Sequence, residues 1–114
     1  IGVPGYKMGY PYEALWGNRN AFESTHCWNY LCYAEANSIV NMYFKLEELY
    51  KGNHKPPMVI APIGTKPHVI GAVLYAIKNP DRVELLYDNP IRTLHRTTGI
   101  GRVICCNISK LFNN

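Results

Sequence analysis

Gly64-Thr65-Lys66-Pro67 joins two apolar runs, 58–63 and 69–77. A glycine lets a bound group approach the backbone, Thr65 brings a hydroxyl and Lys66 a cation. If a helix starts at the proline, its first free N–H groups and the positive end of its dipole point to the same place. This is the chemistry of a small anion site, for a phosphate or a carboxylate. The GxxxxGK[ST] pattern of a P-loop is absent, so the turn is not that motif. A plainer reading stands beside this one: Thr65 only caps a helix and Lys66 is solvated.

A second basic group is Arg92, His95, Arg96 and Arg102, interleaved with Thr97, Thr98, Gly99 and Gly101. Arginines hold phosphate oxygens in pairs; the alternative is an exposed hairpin with solvated charges. Asp88 follows an apolar run, where an acid suits a ribose or a base, although Asp88-Asn89-Pro90 is also ordinary turn chemistry. Paired acid–base work is poorly supported, because only Glu13, Glu23, Glu35 and Asp88 lie near plausible loops. Cys27-x4-Cys32 with His26 has the wrong spacing for a common zinc knuckle, so no metal site is expected. No GxSxG elbow and no HExxH occur.

These residues need elements to hold them. Residues 1–3 read as the end of a strand, and Pro4-Gly5-Tyr6 as the loop after it. Residues 12–23 have helical character. Residues 27–33 (CWNYLCY) are rich in β-formers and predict a short buried strand. The spacing of Ile39, Met42, Tyr43, Leu46, Leu49 and Tyr50 predicts a helix over 35–51, with Asn37 or Ser38 as cap and Lys51-Gly52 as its stop. Residues 58–63 (MVIAPI) predict a strand buried on both faces.

A helix should run from 67 to about 78, deeply packed because it is apolar nearly all round. Gly71 inside it costs about 1 kcal/mol against Ala, and close approach to a strand would explain it. Residues 82–87 and 101–108 predict two more strands. Alternation with short connections predicts an α/β fold: a Rossmann-like, mostly parallel sheet with flanking helices and a terminal antiparallel strand or hairpin. In such sheets ligands bind beyond the carboxyl ends of the strands. That rule selects Gly5 and Tyr6, Ala34 to Asn37, Gly64 to Pro67, and Asp88 to Arg92.

The 114 residues suffice for one domain. The chain opens mid-strand and without Met, so the expectation is a single Rossmann-like domain, or its C-terminal portion, within a larger protein. A content of 47% hydrophobic and 18% charged residues fits a globular chain and not a disordered one. The net charge of +4 is mild; it permits a nucleic-acid partner without demanding one. Adjacent Cys105-Cys106 is no secreted disulfide framework, and all four cysteines are expected as reduced, mostly buried thiols in a cytoplasmic protein. No apolar run approaches the roughly 20 residues of a membrane span.

The block 58–90 (MVIAPIGTKPHVIGAVLYAIKNPDRVELLYDNP) resembles the strand–loop–helix–strand core of CARF- and SAVED-type sensor domains. It also resembles a family of bacterial proteins found near defence genes, which share an APxGTKP-like turn and a YDxP-like strand end. In this chain those are residues 61–67 and 87–90, and the segment 96–102 extends the match. The resemblance implies sensing of nucleotide-type ligands, cyclic oligonucleotides among them, in prokaryotic immunity. It implies Gly64, Thr65 and Lys66 on phosphate and Asp88 near the ligand rim. The expected ligand-binding set is therefore Gly5, Tyr6, Gly64, Thr65, Lys66, Asp88, Arg92 and Arg96.

Three functions compete. The first is a regulatory module binding a nucleotide or other phosphorylated ligand. The second is an enzyme acting on nucleotides or nucleic acid, with Lys66, Arg92 or Arg96 on phosphate and Glu35 or Asp88 as acid or base. The third is an interaction subunit of a defence complex, joined through the Tyr-rich start (Tyr6, Tyr10, Tyr12, Trp16). Partners would include the rest of a longer chain, and a homo-oligomer fits the same picture. No cofactor follows from the residues.

Overall fold

A computed structural model describes residues 1–53, 57–89, 91, 94 and 98–112. It is a small α/β domain built on a parallel β–α–β unit. Strand β1 (Met58–Ile60) pairs in parallel with β2 (Val83–Leu85), in the register Met58↔Val83, Val59↔Glu84 and Ile60↔Leu85. Parallel neighbours need a long crossover, and helix α4 (Lys66–Lys78) supplies it. A separate parallel bridge joins Gly2 to Ala34. It is held by Val3 N–H to Ala34 O at 2.8 Å and Ala34 N–H to Ile1 O at 3.0 Å.

Helix α1 (Tyr10–Gly17) carries Pro11 in its first turn, where a proline is tolerated. Helix α2 (Arg19–Thr25) ends where His26 turns left-handed, at φ 53°. Helix α3 (Ile39–Gly52) is capped by Ser38, whose hydroxyl accepts from the Asn41 amide at 3.0 Å. The short helix α5 (Ser109–Phe112) closes the described chain.

Helices α3 and α4 pack together and make the core. Tyr43 and Leu46 from α3 meet Ala72, Leu74 and Tyr75 from α4 and Leu111 from α5. Met58, Ile60 and Val83 pack against this cluster from the sheet. Burying each large apolar side chain contributes roughly 1.5–3 kcal/mol. The rings of Tyr43 and Tyr75 meet edge to face at 5.2 Å.

A polar knot sits at one side of this core. The Tyr75 hydroxyl donates to the Glu47 carboxylate at 2.8 Å, Lys51 Nζ lies 3.1 Å from Glu47, and Arg82 approaches it at 3.6 Å while stacking on Tyr50. Burial and then the Glu47 carboxylate push the Tyr75 hydroxyl up to about 12. The same bond, aided by Lys51 and Arg82, holds Glu47 below the usual carboxylate range.

The fold departs from the sequence expectations in several places. Residues 27–33 do not form a strand. Cys27–Tyr30 is a 3-10 turn, set by the left-handed His26 and by Trp28 packing on Phe22 at 5.9 Å. The residues 101–108 have no regular structure and are exposed, so the terminal antiparallel strand is absent among the described residues. Ile104, Cys105 and Cys106 lie by the starts of α3 and α4 and not beside β2, so their β propensity has no edge to satisfy.

Strand β1 is buried on one face only, since Val59 is 67% exposed on the other. Helix α4 likewise leaves Ile70, Val73 and Ile77 exposed. Gly71 is explained by a helix and not by a strand. A Cβ there would stand 2.7 Å from Ile39 O and 2.9 Å from Met42 Cβ, so α3 fills the space. The cysteines carry no disulfide; Cys27 and Cys32 are half-buried, but Cys105 and Cys106 are exposed, against the expectation of burial.

Candidate functional site

Three chain segments meet at the N-terminal end of α4. The first follows the Gly2 bridge, the second follows Ala34, and the third follows β1. Each leaves extended backbone just before it arrives, as the strand-end rule requires. The Ala36 amide donates to Pro4 O at 3.2 Å, tying the first two together. The Thr65 hydroxyl donates to Ala36 O at 2.5 Å, tying the third to the second.

Between them lies an open cleft of about 480 Å³, within the size range of small-molecule sites. Gly5, Tyr6, Tyr10 and Pro11 form one wall, and the stretch 60–65 forms the other. Asn18 and Met42 contribute to the lining, and His68 borders it from α4. No carboxylate lines the cleft among the described residues.

Helix α4 begins after Thr65, whose φ of −69° and ψ of 158° are those of a helix cap. Its hydroxyl makes no capping bond, however. The proton is committed to Ala36 O, so Thr65 is a strut between loops and not a free donor. Pro67 stands in the first turn and the Val69 amide bonds to Thr65 O. The amides of Lys66 and His68 therefore have no intrahelical acceptor.

His68 is 8% exposed. Its Nε2 lies 2.8 Å from the carbonyl oxygen of Glu35. A carbonyl only accepts, so Nε2 carries the proton. The ring fits between two glycines: a Cβ on Gly2 would come within 3.5 Å of His68 Cε1, and one on Gly64 within 3.3 Å of Nδ1.

The expected site residues divide accordingly. Gly5, Tyr6, Gly64 and Thr65 come together in the cleft. Lys66 does not; it is exposed and lines a separate hollow with Asn37, Ser38 and the 104–106 segment. Asp88 is exposed beyond β2 and is not part of the cleft lining. Arg92, His95 and Arg96 lie outside the described residues, and Arg102 is exposed. The Glu35 carboxylate is exposed too, and only its backbone serves the site.

His68 and Asn18 are absent from the residues expected of a site, and Tyr10, expected at an interface, lines the cleft. His68 had a signal: it is the one imidazole at the head of a long apolar run, four residues after Gly64. The described residues contain no group of three or more His, Cys, Asp or Glu arranged to hold a metal ion. None of their helices is long and apolar enough to cross a membrane. In comparisons with protein-family models, curated proteins and solved structures, nothing matches this chain significantly.

Proposed function

We propose that the chain is a Rossmann-like module that binds a nucleotide or other phosphorylated ligand. The observation that carries this reading is the convergence of three post-strand segments on one cleft at the start of α4. The unpaired amides of the helix start suit an anion. The Tyr6 and Tyr10 rings on the opposite wall offer faces for a flat base. The parallel β1–α4–β2 unit supports the Rossmann-like assignment. The resemblance of residues 58–90 motivates a regulatory sensor in a bacterial defence system, acting by binding and not by turnover. The cleft lining holds no carboxylate among the described residues, which weighs against acid–base catalysis by Glu35 or Asp88.

Thermal-shift binding tests the proposal. The panel holds mononucleotides, dinucleotides, cyclic oligonucleotides and short single-stranded nucleic acids. A ligand at one hundred times its Kd should stabilise the fold by about 2.7 kcal/mol. The shift should shrink in Tyr6→Ala and persist in Lys66→Ala. No shift with any member overturns the binding reading.

A second reading, an interaction subunit, is favoured by the exposed apolar side chains Ile70, Val73 and Ile77 of α4 and Tyr12 and Trp16 of α1. Self-association that rises with concentration in size-exclusion chromatography would support it.

A further inference from the structure

One polar atom at the cleft surface has no partner in the described fold. His68 is more than nine-tenths buried, and its Nε2–H is spent on the Glu35 carbonyl. In the neutral ring this leaves Nδ1 as a bare acceptor. Nδ1 makes no hydrogen bond among the described residues, and it is not sealed off from the cleft. Gly64 lies beside that edge and has no side chain to cover it: a Cβ there would stand 3.3 Å from Nδ1. Gly2 lies near the Cε1 edge, where a Cβ would stand 3.5 Å from Cε1. An acceptor held in one tautomer at the cleft surface, flanked by two glycines, is placed to receive a donor from outside the chain.

The position of Nδ1 indicates which donor. His68 is the third residue of α4, the helix whose start offers the anion place. In a nucleotide the group bonded next to the phosphate is the sugar, while the base reaches farther, here toward Tyr6 and Tyr10. The donor within reach of Nδ1 is then a sugar hydroxyl. We propose that His68 Nδ1 accepts a hydrogen bond from a hydroxyl of the sugar, so that the cleft selects ribose-bearing phosphorylated ligands over their deoxy counterparts. This rests on the nucleotide-binding reading and adds its sugar specificity.

The test compares ribonucleoside 5′-monophosphates, their 2′-deoxy and 3′-deoxy counterparts, and ribose 5-phosphate, by calorimetry on the whole chain. His68→Gln is the informative variant: its amide N–H can still reach the Glu35 carbonyl, but no acceptor remains at the Nδ1 position. The wild type should prefer a ribonucleotide to one of its deoxy forms by about tenfold. In His68→Gln that preference should fall to near unity while residual binding persists.

Equal affinity of the wild type for ribo and deoxy forms overturns the inference and leaves nucleotide binding intact. So does a preference that survives in His68→Gln. Failure of every phosphorylated probe to bind the wild type overturns the underlying reading, and the inference with it. An independent readout is the imidazole nitrogen spectrum of the labelled protein. The neutral ring is expected as the Nε2–H tautomer, and finding Nδ1–H overturns the inference whatever binds.

Discussion

The Tyr75 hydroxyl and the Glu47 carboxylate meet at 2.8 Å across the α3–α4 interface, and each displaces the other's titration. Tyr75 is raised to about 12, whereas an unfolded tyrosine ionises near 10. Its contribution is therefore complete below about pH 10 and lost as pH rises through 12. Glu47 is lowered, so its contribution is present above the ordinary carboxylate value and lost as pH falls through the native one. Tyr75→Phe should cost about 1–2 kcal/mol at neutral pH. It should also flatten the alkaline limb of stability and remove a late tyrosinate step from the ultraviolet titration. Denaturant melts across pH check the first two expectations.

Gly71 and Gly52 should respond in opposite ways to alanine. At Gly71 the new methyl would press on Ile39 O and Met42, so Gly71→Ala should lose roughly 1–3 kcal/mol despite the better helix propensity. At Gly52, the last residue of α3, nothing lies within 4 Å. Gly52→Ala should be neutral or slightly stabilising. Urea midpoints of the two variants make the comparison.

Thr65→Val removes the hydroxyl that braces the cleft and keeps the shape. It should cost about 1 kcal/mol, because Ala36 O is left without its donor. Thr65→Ser should restore most of that stability. The wild type and both variants can be ranked by thermal melting.

The exposure of Cys105 and Cys106 predicts biphasic thiol labelling. Two fast thiols should precede two slow ones, since Cys27 and Cys32 are half-buried. Replacing Cys105 and Cys106 by serine should remove the fast phase, as read by mass spectrometry over time.

Local chemistry made part of this fold legible. Ser38 and Thr65 stand at the two helix starts where their residue types suggested them, and the spacing of Tyr43 and Leu46 marked the buried face of α3. The centres of β1 and β2 fall within the apolar runs. What failed depended on neighbours distant in the chain. Val103 to Cys106 have strand propensity, but propensity cannot reveal that no strand edge lies beside them. Gly71 announced a close approach, but the element that approaches is α3 and not the expected strand.

The site was half legible for the same reason. Gly5, Tyr6, Gly64 and Thr65 follow from the strand-end rule. Lys66 falls outside the cleft lining because the side chain of a helix's first residue can leave on either side of the turn. His68 was overlooked because its role is fixed by Glu35 and Gly2, both far away in sequence.

The two walls of the cleft are anchored very unequally. The 60–65 wall grows out of the sheet beside the buried core, whereas the wall containing Tyr6 hangs on the Gly2–Ala34 bridge and the Ala36-to-Pro4 bond. Amide hydrogen exchange at Val3, Ala34 and Ala36 should accordingly proceed through a local opening that leaves α3 and α4 protected. An occupant touching both walls must first wait for, or itself hold, the closed arrangement, and its apparent affinity falls by the fraction of molecules that are open. Slowed exchange at those three amides, with no change in the helical core, would therefore report occupancy even when the occupant adds little to global stability.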